Sequence, residues 1–310
     1  MKNKILLLPA TILFLVAIFT ACKKEKGSSS SDNTTEASQQ SDDQARVSNV
    51  TESSANDADV ALEISPSFSG RLAHTQTTVC HAAVVFDSLS SPRTITITYD
   101  GADCWGSTTR TGVVVLSMAQ GVHWKDVNAS ISLTFQNLKV TRVSDNKSIT
   151  LNGTMTYTNV SGGLLINLAS LGTVTHTITS SNMSVTFDDN TQRTWQVAKQ
   201  RVFTYDNGVV ITTSGTHTDG NNTNITEWGI NRLGHAFFSS TVQPLVIRQD
   251  CNFRIVSGEV KHVTPNVTAT VTFGLDATGN PTSCPVTGHY YFKIVWTGSA
   301  GNSLTLIMPY

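Results

Sequence analysis

The feature that most restricts the fold is a repeated pattern of short apolar runs between Val60 and Tyr310. These runs are rich in β-branched residues, and turn dipeptides such as Asn207-Gly208 separate them. No segment after residue 21 shows sustained helical periodicity, and nearly all connections are short. We therefore predict an all-β fold, a long antiparallel meander that forms a large twisted sheet, curled as a sandwich or half-barrel.

One predicted hairpin, over residues 129–159, can be followed through the parity of its apolar residues. The apolar residues before Gln136 and after Asn137 have opposite parity, so a regular strand would place them on different faces. A bulge at Gln136-Asn137 would restore a single apolar face. With this bulge, we expect Leu138 to lie opposite Gly153.

The N-terminus has the pattern of an export signal. Lys2 and Lys4 precede an apolar run from Ile5 to Phe19, and small residues stand just before Cys22. The run is too short and wrongly flanked for a membrane-spanning helix. Cys22 looks like the lipid-modified first residue of a bacterial lipoprotein. We predict a signal peptide over residues 1–21 and lipidation of Cys22; the alternative is a cleaved secretory signal with an incidental cysteine.

The segment from Lys23 to Asp59 has almost no residue that could drive burial. It is rich in Ser, Asp and Asn, and such a composition cannot offset the entropy of ordering the chain. We predict a lipid anchor and disordered tether over residues 22–59, then a single all-β domain over residues 60–310. Ala58 to Ile64 could form one turn of helix at most.

The other four cysteines suit two disulfides in an oxidising compartment. Four cysteines allow three connectivities. Local pairing closes the shortest loops, and it joins Cys80 with Cys104 and Cys251 with Cys284. Since no Cys-x-x-Cys is present, a zinc site is the weaker alternative.

Charge and turn composition exclude several classes of protein. The formal net charge is −1, and such a balance gives no electrostatic footprint for nucleic acid or anionic lipid. The acidic residues mostly occupy turn sequences, where Asp bonds its own backbone. Residues 188–190 and 219–224 could offer oxygen ligands to Ca²⁺, but their charge is too low for a full cage. We predict no metal and no cofactor.

The chain contains no nucleophile elbow, zinc-protease motif or phosphate loop. Glu227 precedes Trp228 in a predicted strand and is the best candidate for a catalytic carboxylate, although a half-exposed strand glutamate is more often structural. Trp105 and Trp228 could stack on sugar rings if they are exposed. We predict no catalytic residue and name Trp105, Glu227 and Trp228 as candidate ligand contacts.

Motifs from Arg93 to the C-terminus share a recognisable pattern. They are Arg93-Thr94-Ile95-Thr96-Ile97 leading to Cys104, Arg110-Thr111-Gly112, Leu151-Asn152-Gly153-Thr154, Thr194-Trp195-Gln196, Gly229-Ile230-Asn231-Arg232-Leu233-Gly234, Pro244-Leu245-Val246-Ile247-Arg248 before Cys251, and Val256-Ser257-Gly258-Glu259-Val260. The chain thereby resembles lipoproteins common in the Bacteroidota, and departs from them at Gln196 and in the longer tract from Thr264 to Cys284. The resemblance implies an all-β, lipid-anchored protein, and it carries no catalytic residue over.

We therefore expect a non-catalytic lipoprotein of the outer membrane, facing the periplasm or the cell surface, with a structural or binding role. Its expected partners are the membrane, through the lipid, and a glycan or envelope protein, but not nucleic acid. One alternative is a glycan- or lipid-binding module that uses the concave face of the sheet, provided Leu and Phe do not fill that face. Another is a hydrolase centred on Glu227, which requires a second carboxylate within about 10 Å.

Overall fold

The computed structural model describes residues 30–71, 79–103, 106–251, 253–284, 290–298 and 301–309. The helices are α1 (Ser30–Ile64), α2 (Pro66–Ser69) and α3 (Leu168–Leu171), with 3₁₀ turns at Leu165–Asn167 and Gln249–Cys251. The strands are β1 (Ala82–Asp87), β2 (Arg93–Ala102), β3 (Thr108–Met118), β4 (Ala129–Arg142), β5 (Ser148–Asn159), β6 (Thr173–Phe187), β7 (Gln192–Tyr205), β8 (Val209–Gly215), β9 (His217–Asp219), β10 (Asn222–Ile230), β11 (Ala236–Arg248), β12 (Arg254–Val263), β13 (Val267–Leu275), β14 (Tyr291–Gly298) and β15 (Ser303–Pro309). The predicted signal peptide, Cys22, Cys104 and Trp105 lie outside the described residues.

The strands form one antiparallel sheet whose order follows the chain from β1 to β7 and from β10 to β15. β8 and β10 occupy successive positions between β7 and β11. β8 pairs with residues 199–205 of β7, and β10 pairs with residues 194–197 of the same strand. β7, β8, β11 and β10 therefore form a closed ring of pairings. This topology confirms the predicted all-β antiparallel meander.

A line of bulges crosses the sheet from β3 to β6. The register shifts at Gly112, Gln136-Asn137, Gly153 and Ser181-Asn182 on neighbouring strands. Gly112 and Gly153 have positive φ, and a Cβ atom on either would lie 2.2 Å from a carbonyl oxygen of the adjacent bulge. Only glycine permits this close approach without strain. Aligned bulges bend successive strands in the same place, and the sheet curls along that line.

The predicted bulge at Gln136-Asn137 is confirmed, but the predicted register of this hairpin is wrong by two residues. Leu138 lies opposite Leu151, and Gly153 lies opposite Phe135. The turn is centred one residue earlier than expected. Since side chains alternate with a period of two, a two-residue shift leaves the same residues on the apolar face.

The two faces of the sheet differ in polarity. Leu133 and Leu151 are fully buried on the inner face. Thr134 and Thr154 are paired on the outer face, where their hydroxyls lie 3.1 Å apart. The inner face therefore carries the hydrophobic core, and the outer face is threonine-rich and solvated.

Helix α1 lies against the inner face of the curled sheet. Asp57 of α1 accepts hydrogen bonds from Tyr99 of β2 at 2.8 Å and from Arg110 of β3 at 2.7 Å. Glu52, less than two turns earlier, accepts one from Lys199 of β7 at 3.1 Å. Strands that are far apart in the sheet order therefore contact the same helix, so the sheet wraps around α1.

Helix α1 corrects the prediction of a disordered tether as far as Asp59 and of no helix beyond one turn. Its buried side chains recur every three or four residues, as a helix packed on one side requires. Many of them are small or polar, so hydropathy does not reveal the stripe. They include Gln40, Asp43, Val47, Val50, Thr51, Ser54, Ala55, Ala58, Ala61 and Leu62.

The predicted disulfide between Cys251 and Cys284 is confirmed. It joins the turn after β11 to the segment before β14. Cys80 is also disulfide-bonded, but its pairing with Cys104 stays a prediction, because Cys104 lies outside the described residues. Among the helices in the described part of the chain, none is both long and apolar enough to cross a membrane.

Candidate functional site

Glu227 lies on the inner face of β10, beneath α1. It is only 3% exposed, so the expectation of a half-exposed strand glutamate is wrong. Its carboxylate accepts a hydrogen bond from Gln44 of α1 at 2.9 Å and forms ion pairs with Arg193 at 3.2 Å and Lys199 at 3.5 Å. Gln44 belongs to α1 and both cations belong to β7, so the partners are distant from Glu227 in the sequence and local pattern could not indicate this burial.

A second carboxylate does lie close to Glu227. Lys199 contacts Glu52 as well as Glu227, so the two carboxylates are closer than the roughly 10 Å limit for a glycosidase pair. Burial raises the pKa of Glu227, but Lys199 and Arg193 outweigh it and lower that pKa below its ordinary value. Burial also raises the pKa of Glu52, but Lys199 and Arg201 have the larger combined effect and lower that pKa to about 2. Both groups are thus ionised at neutral pH, and the pair lacks the protonated acid that glycoside hydrolysis needs.

Further ion pairs join α1 to cations of the sheet. Arg110 and Asp57 lie 2.7 Å apart, and Arg142 and Asp42 lie 2.8 Å apart. Arg232 donates a hydrogen bond to Asp43 at 2.7 Å. The inner face is therefore a charge-paired interface between α1 and the sheet, and strongly shifted pKa values occur in such structural networks as well as in active sites.

The concave face is also filled by apolar groups. Leu133, Phe135 and Leu138 are buried in one cluster with Val47 and Leu62 of α1. The part of this face from β2 to β7 therefore offers no open surface for a glycan or a lipid.

An open groove of about 880 Å³ lies on the opposite, outer side of β6, β7, β10 and β11. Its floor is a row of cross-strand neighbours, in which Gln196 pairs with Trp228, Trp228 with Phe238, and Phe238 with Val263. Trp228 follows Glu227 in the same strand, so the alternation of a strand places its side chain on the outer face. Of the predicted ligand contacts, Trp228 lines this groove and Glu227 does not, while Trp105 lies outside the described residues.

One wall of the groove is the hairpin of β9 and β10, which follows β8 after Gly215. His217 of β9 stacks on Trp228, with ring centroids 3.9 Å apart and an interplanar angle of 14°. Asp219, at the end of β9, also lines the groove. The opposite wall contains the bulge at Ser181-Asn182.

Four polar side chains of the groove, Gln196, Asn182, His217 and Asp219, make no side-chain hydrogen bond or ion pair with any residue that the structure describes. His217 belongs to the stacked aromatic pair and the other three line the same groove, and all four retain their hydrogen-bonding capacity for a ligand. Sequence reasoning found Trp228 and considered Asp219 only as a possible ligand of Ca²⁺, but it did not identify Asn182, Gln196 or His217 as candidate contacts. The alternation of β7 and β10 could have indicated Gln196, whereas the other three of these four side chains belong to a bulge and a hairpin.

The two acidic turns considered for Ca²⁺ have different environments. Asp188 forms an ion pair with Arg46 at 3.8 Å, and Asp189 forms one with Arg232 at 3.1 Å. Asp219 belongs to the groove. Within the described ranges, no group of three or more His, Cys, Asp or Glu side chains is arranged to hold a metal ion.

The groove beside Trp228 is thus an open surface that carries both aromatic and polar groups. Comparison with models of protein families, with curated proteins and with solved structures found no match. The resemblance to lipoproteins of the Bacteroidota therefore stays a prediction.

Proposed function

We propose that this protein is a lipid-anchored lipoprotein of the bacterial cell envelope that binds a ligand and does not catalyse a reaction. Cys22 carries the lipid in this proposal, and the domain stands on the outer membrane, facing the periplasm or the cell surface. The groove beside Trp228 is the observation that supports the binding role. It combines an aromatic surface with polar groups that are unbonded among the described residues, which is the usual make-up of a small-ligand site.

A hydrolase centred on Glu227 is the less favoured alternative. Water and substrate would have to reach a carboxylate that α1 covers and that two cations keep ionised. The groove is on the other face of the same strand, so a ligand bound there would not contact Glu227.

The anchor is tested by growing cells with radiolabelled palmitate. The wild-type protein should incorporate label and enter the detergent phase of a phase-separation assay, and Cys22→Ser should do neither. Equal labelling of the two proteins would refute lipidation at Cys22. Protease treatment of intact cells then distinguishes the surface, where the protein is lost, from the periplasm, where it is protected.

The binding role is tested by the thermal stability of the purified full-length protein in the presence of fractionated envelope extract. A fraction that contains the ligand should raise the Tm of the wild type but not of Trp228→Ala. Tyr205→Ala is the matched control, because Tyr205 is an exposed aromatic residue at the end of β7 and outside the groove. If every fraction shifted all three proteins equally, or none of them, the binding role would be wrong.

A further inference from the structure

The groove has the chemistry of a carbohydrate site. We propose that its ligand is a neutral carbohydrate chain, with one sugar ring stacked against the aromatic surface of Trp228 and His217; this inference rests on the proposed binding function. A pyranose ring presents apolar C–H groups on its faces and hydroxyl groups around its edge. It therefore needs an aromatic face and, at the margin of that face, groups that both donate and accept hydrogen bonds.

The aromatic part of this requirement is met by a preorganised pair. Trp228 is held between Gln196 and Phe238 in the cross-strand row, and His217 covers part of the indole in a near-parallel stack. The indole orientation is thus set before any ligand arrives, and preorganisation reduces the entropy lost on binding. Trp228 is partly buried, so it retains surface for contact.

The polar part is met by side chains on both sides of the aromatic pair. Asn182 stands on the bulge of β6, Gln196 on the floor and Asp219 on the β9 end of the hairpin. Each amide can donate and accept, and the carboxylate accepts from hydroxyl groups. Within the described part of the chain these three side chains have no competing partner, so binding a ligand would break no internal bond.

Other ligand classes fit the groove less well. Its described lining includes no lysine or arginine, which a phosphate or another anion would require. The floor strands β7, β10 and β11 are paired on both sides, so none of these three offers a free edge to which a peptide strand could add along the floor. An acyl chain would leave the polar side chains desolvated and unbonded, at a cost that disfavours lipid.

The dimensions favour a chain over a single sugar. The volume of about 880 Å³ is near the upper end of the range of roughly 300–1,000 Å³ that is typical of small-molecule sites. The groove is open to solvent, so a polymer could extend beyond it. The structure therefore points to a short stretch of an oligosaccharide or polysaccharide.

The test is calorimetric titration of the full-length protein, in a detergent without a sugar headgroup, with neutral gluco-, manno-, xylo- and N-acetylglucosamine oligosaccharides. We expect saturable binding of at least one of them. Trp228→Ala should weaken that binding by about tenfold or more, which corresponds to the loss of one stacking contact. Trp228→Phe should retain part of the affinity, and the control Tyr205→Ala all of it.

Two further variants separate ring stacking from hydrogen bonding. Asn182→Ala and Gln196→Ala should each weaken binding of the same oligosaccharide several-fold without changing the Tm, since neither side chain is bonded in the described structure. If either variant lowered the Tm as well as the affinity, the substituted side chain would stabilise the fold and would not need to contact the ligand. That result would overturn its assignment to the site.

The outcomes distinguish this inference from the binding role itself. An envelope fraction that stabilises the wild type but not Trp228→Ala should lose its effect after periodate oxidation, which cleaves vicinal diols, and keep it after protease digestion. The opposite result would overturn the carbohydrate inference and leave the binding role standing. Failure of the oligosaccharides and of every envelope fraction to act through Trp228 would overturn both.

Discussion

The two faces of strand β10 differ in how their polar groups are bonded. On the inner face, Glu227 is bonded to Gln44, Arg193 and Lys199. On the outer face, Trp228 lines the same groove as Asp219, whose carboxylate has no partner in the described part of the chain. A buried carboxylate paired with two cations stabilises the fold, whereas an exposed carboxylate without a described partner can accept hydrogen bonds from a ligand in the groove. In this fold, the more deeply buried acid is therefore the poorer candidate for chemistry.

The largest expected effect comes from removing α1, the helical side of the inner interface. Deletion of residues 30–64 would expose the apolar inner face and leave Arg110, Arg193 and Lys199 without their helix partners. We expect the truncated chain to lose cooperative thermal unfolding, which calorimetry of the full-length and truncated proteins would measure. A truncated protein with an unchanged sharp transition would show that α1 is dispensable.

A smaller loss of stability is expected from substituting either of the two carboxylates compared above, Glu227 on the inner face and Asp219 in the groove. Glu227→Ala should lower the free energy of unfolding by about 3–5 kcal/mol, because it leaves the buried Arg193 without an ion-pair partner and removes one of the two carboxylates beside Lys199. Asp219→Ala should change it by less than about 0.5 kcal/mol, since that side chain is exposed and unbonded in the described structure.

Urea denaturation of both variants measures the difference between them. Glu227→Gln adds a control that keeps the shape and one hydrogen-bonding oxygen. Similar losses for Glu227→Ala and Asp219→Ala would contradict the contrast between the faces.

The buried histidines predict how stability depends on pH. Burial lowers the pKa of His176 from 6.5 to about 3, and Arg201 acts in the same direction; burial and Arg193 do the same for His262. The unfolded chain therefore binds more protons below pH 6.5, and stability falls as the pH decreases from 6.5 towards 3. The loss approaches about 1.4 kcal/mol per pH unit for each histidine. Asp59 contributes a pH dependence of the opposite sign. Burial raises its pKa from 3.8 to about 7, so its contribution to stability falls as the pH rises between those values.

The measurement is the Tm between about pH 7 and about pH 4. His176→Phe removes one titrating group and keeps a ring between Trp124 and Phe203. Its Tm should therefore fall less steeply with decreasing pH than that of the wild type. Parallel curves for the two proteins would show that His176 does not contribute to the acid sensitivity.

The smallest expected effect concerns the outer face away from the groove. Thr134→Ala removes the exposed cross-strand contact with Thr154 and should cost about 0.5 kcal/mol. Its neighbour Leu133 is fully buried on the inner face, and Leu133→Ala should cost about 2–5 kcal/mol. The denaturation midpoints of the two variants compare the outer face with the inner face at two adjacent residues of β4. A Thr134→Ala loss as large as that of Leu133→Ala would contradict a solvated outer face.

Local pattern was enough to predict much of this fold. Alternating apolar residues and turn dipeptides indicate the antiparallel meander, and the parity change around Gln136-Asn137 indicates the bulge, because strand periodicity is a property of neighbouring residues. Short loop closure indicates the bond between Cys251 and Cys284. Alternation within β10 also places Glu227 and Trp228 on opposite faces, although it cannot say which face is buried.

Contacts between segments that are distant in the sequence determined helix α1, the burial of Glu227 and the groove. Helix α1 is absent from the hydropathy pattern because the sheet supplies the large apolar groups, such as Leu133 and Phe135, and the helix supplies Ala, Ser and Thr. The negative charge of Glu227 is balanced by two cations of β7, and an amide of α1 donates a hydrogen bond to it. The groove exists because strand register sets Gln196, Trp228 and Phe238 side by side. These features depend on long-range packing and register, which no local periodicity encodes.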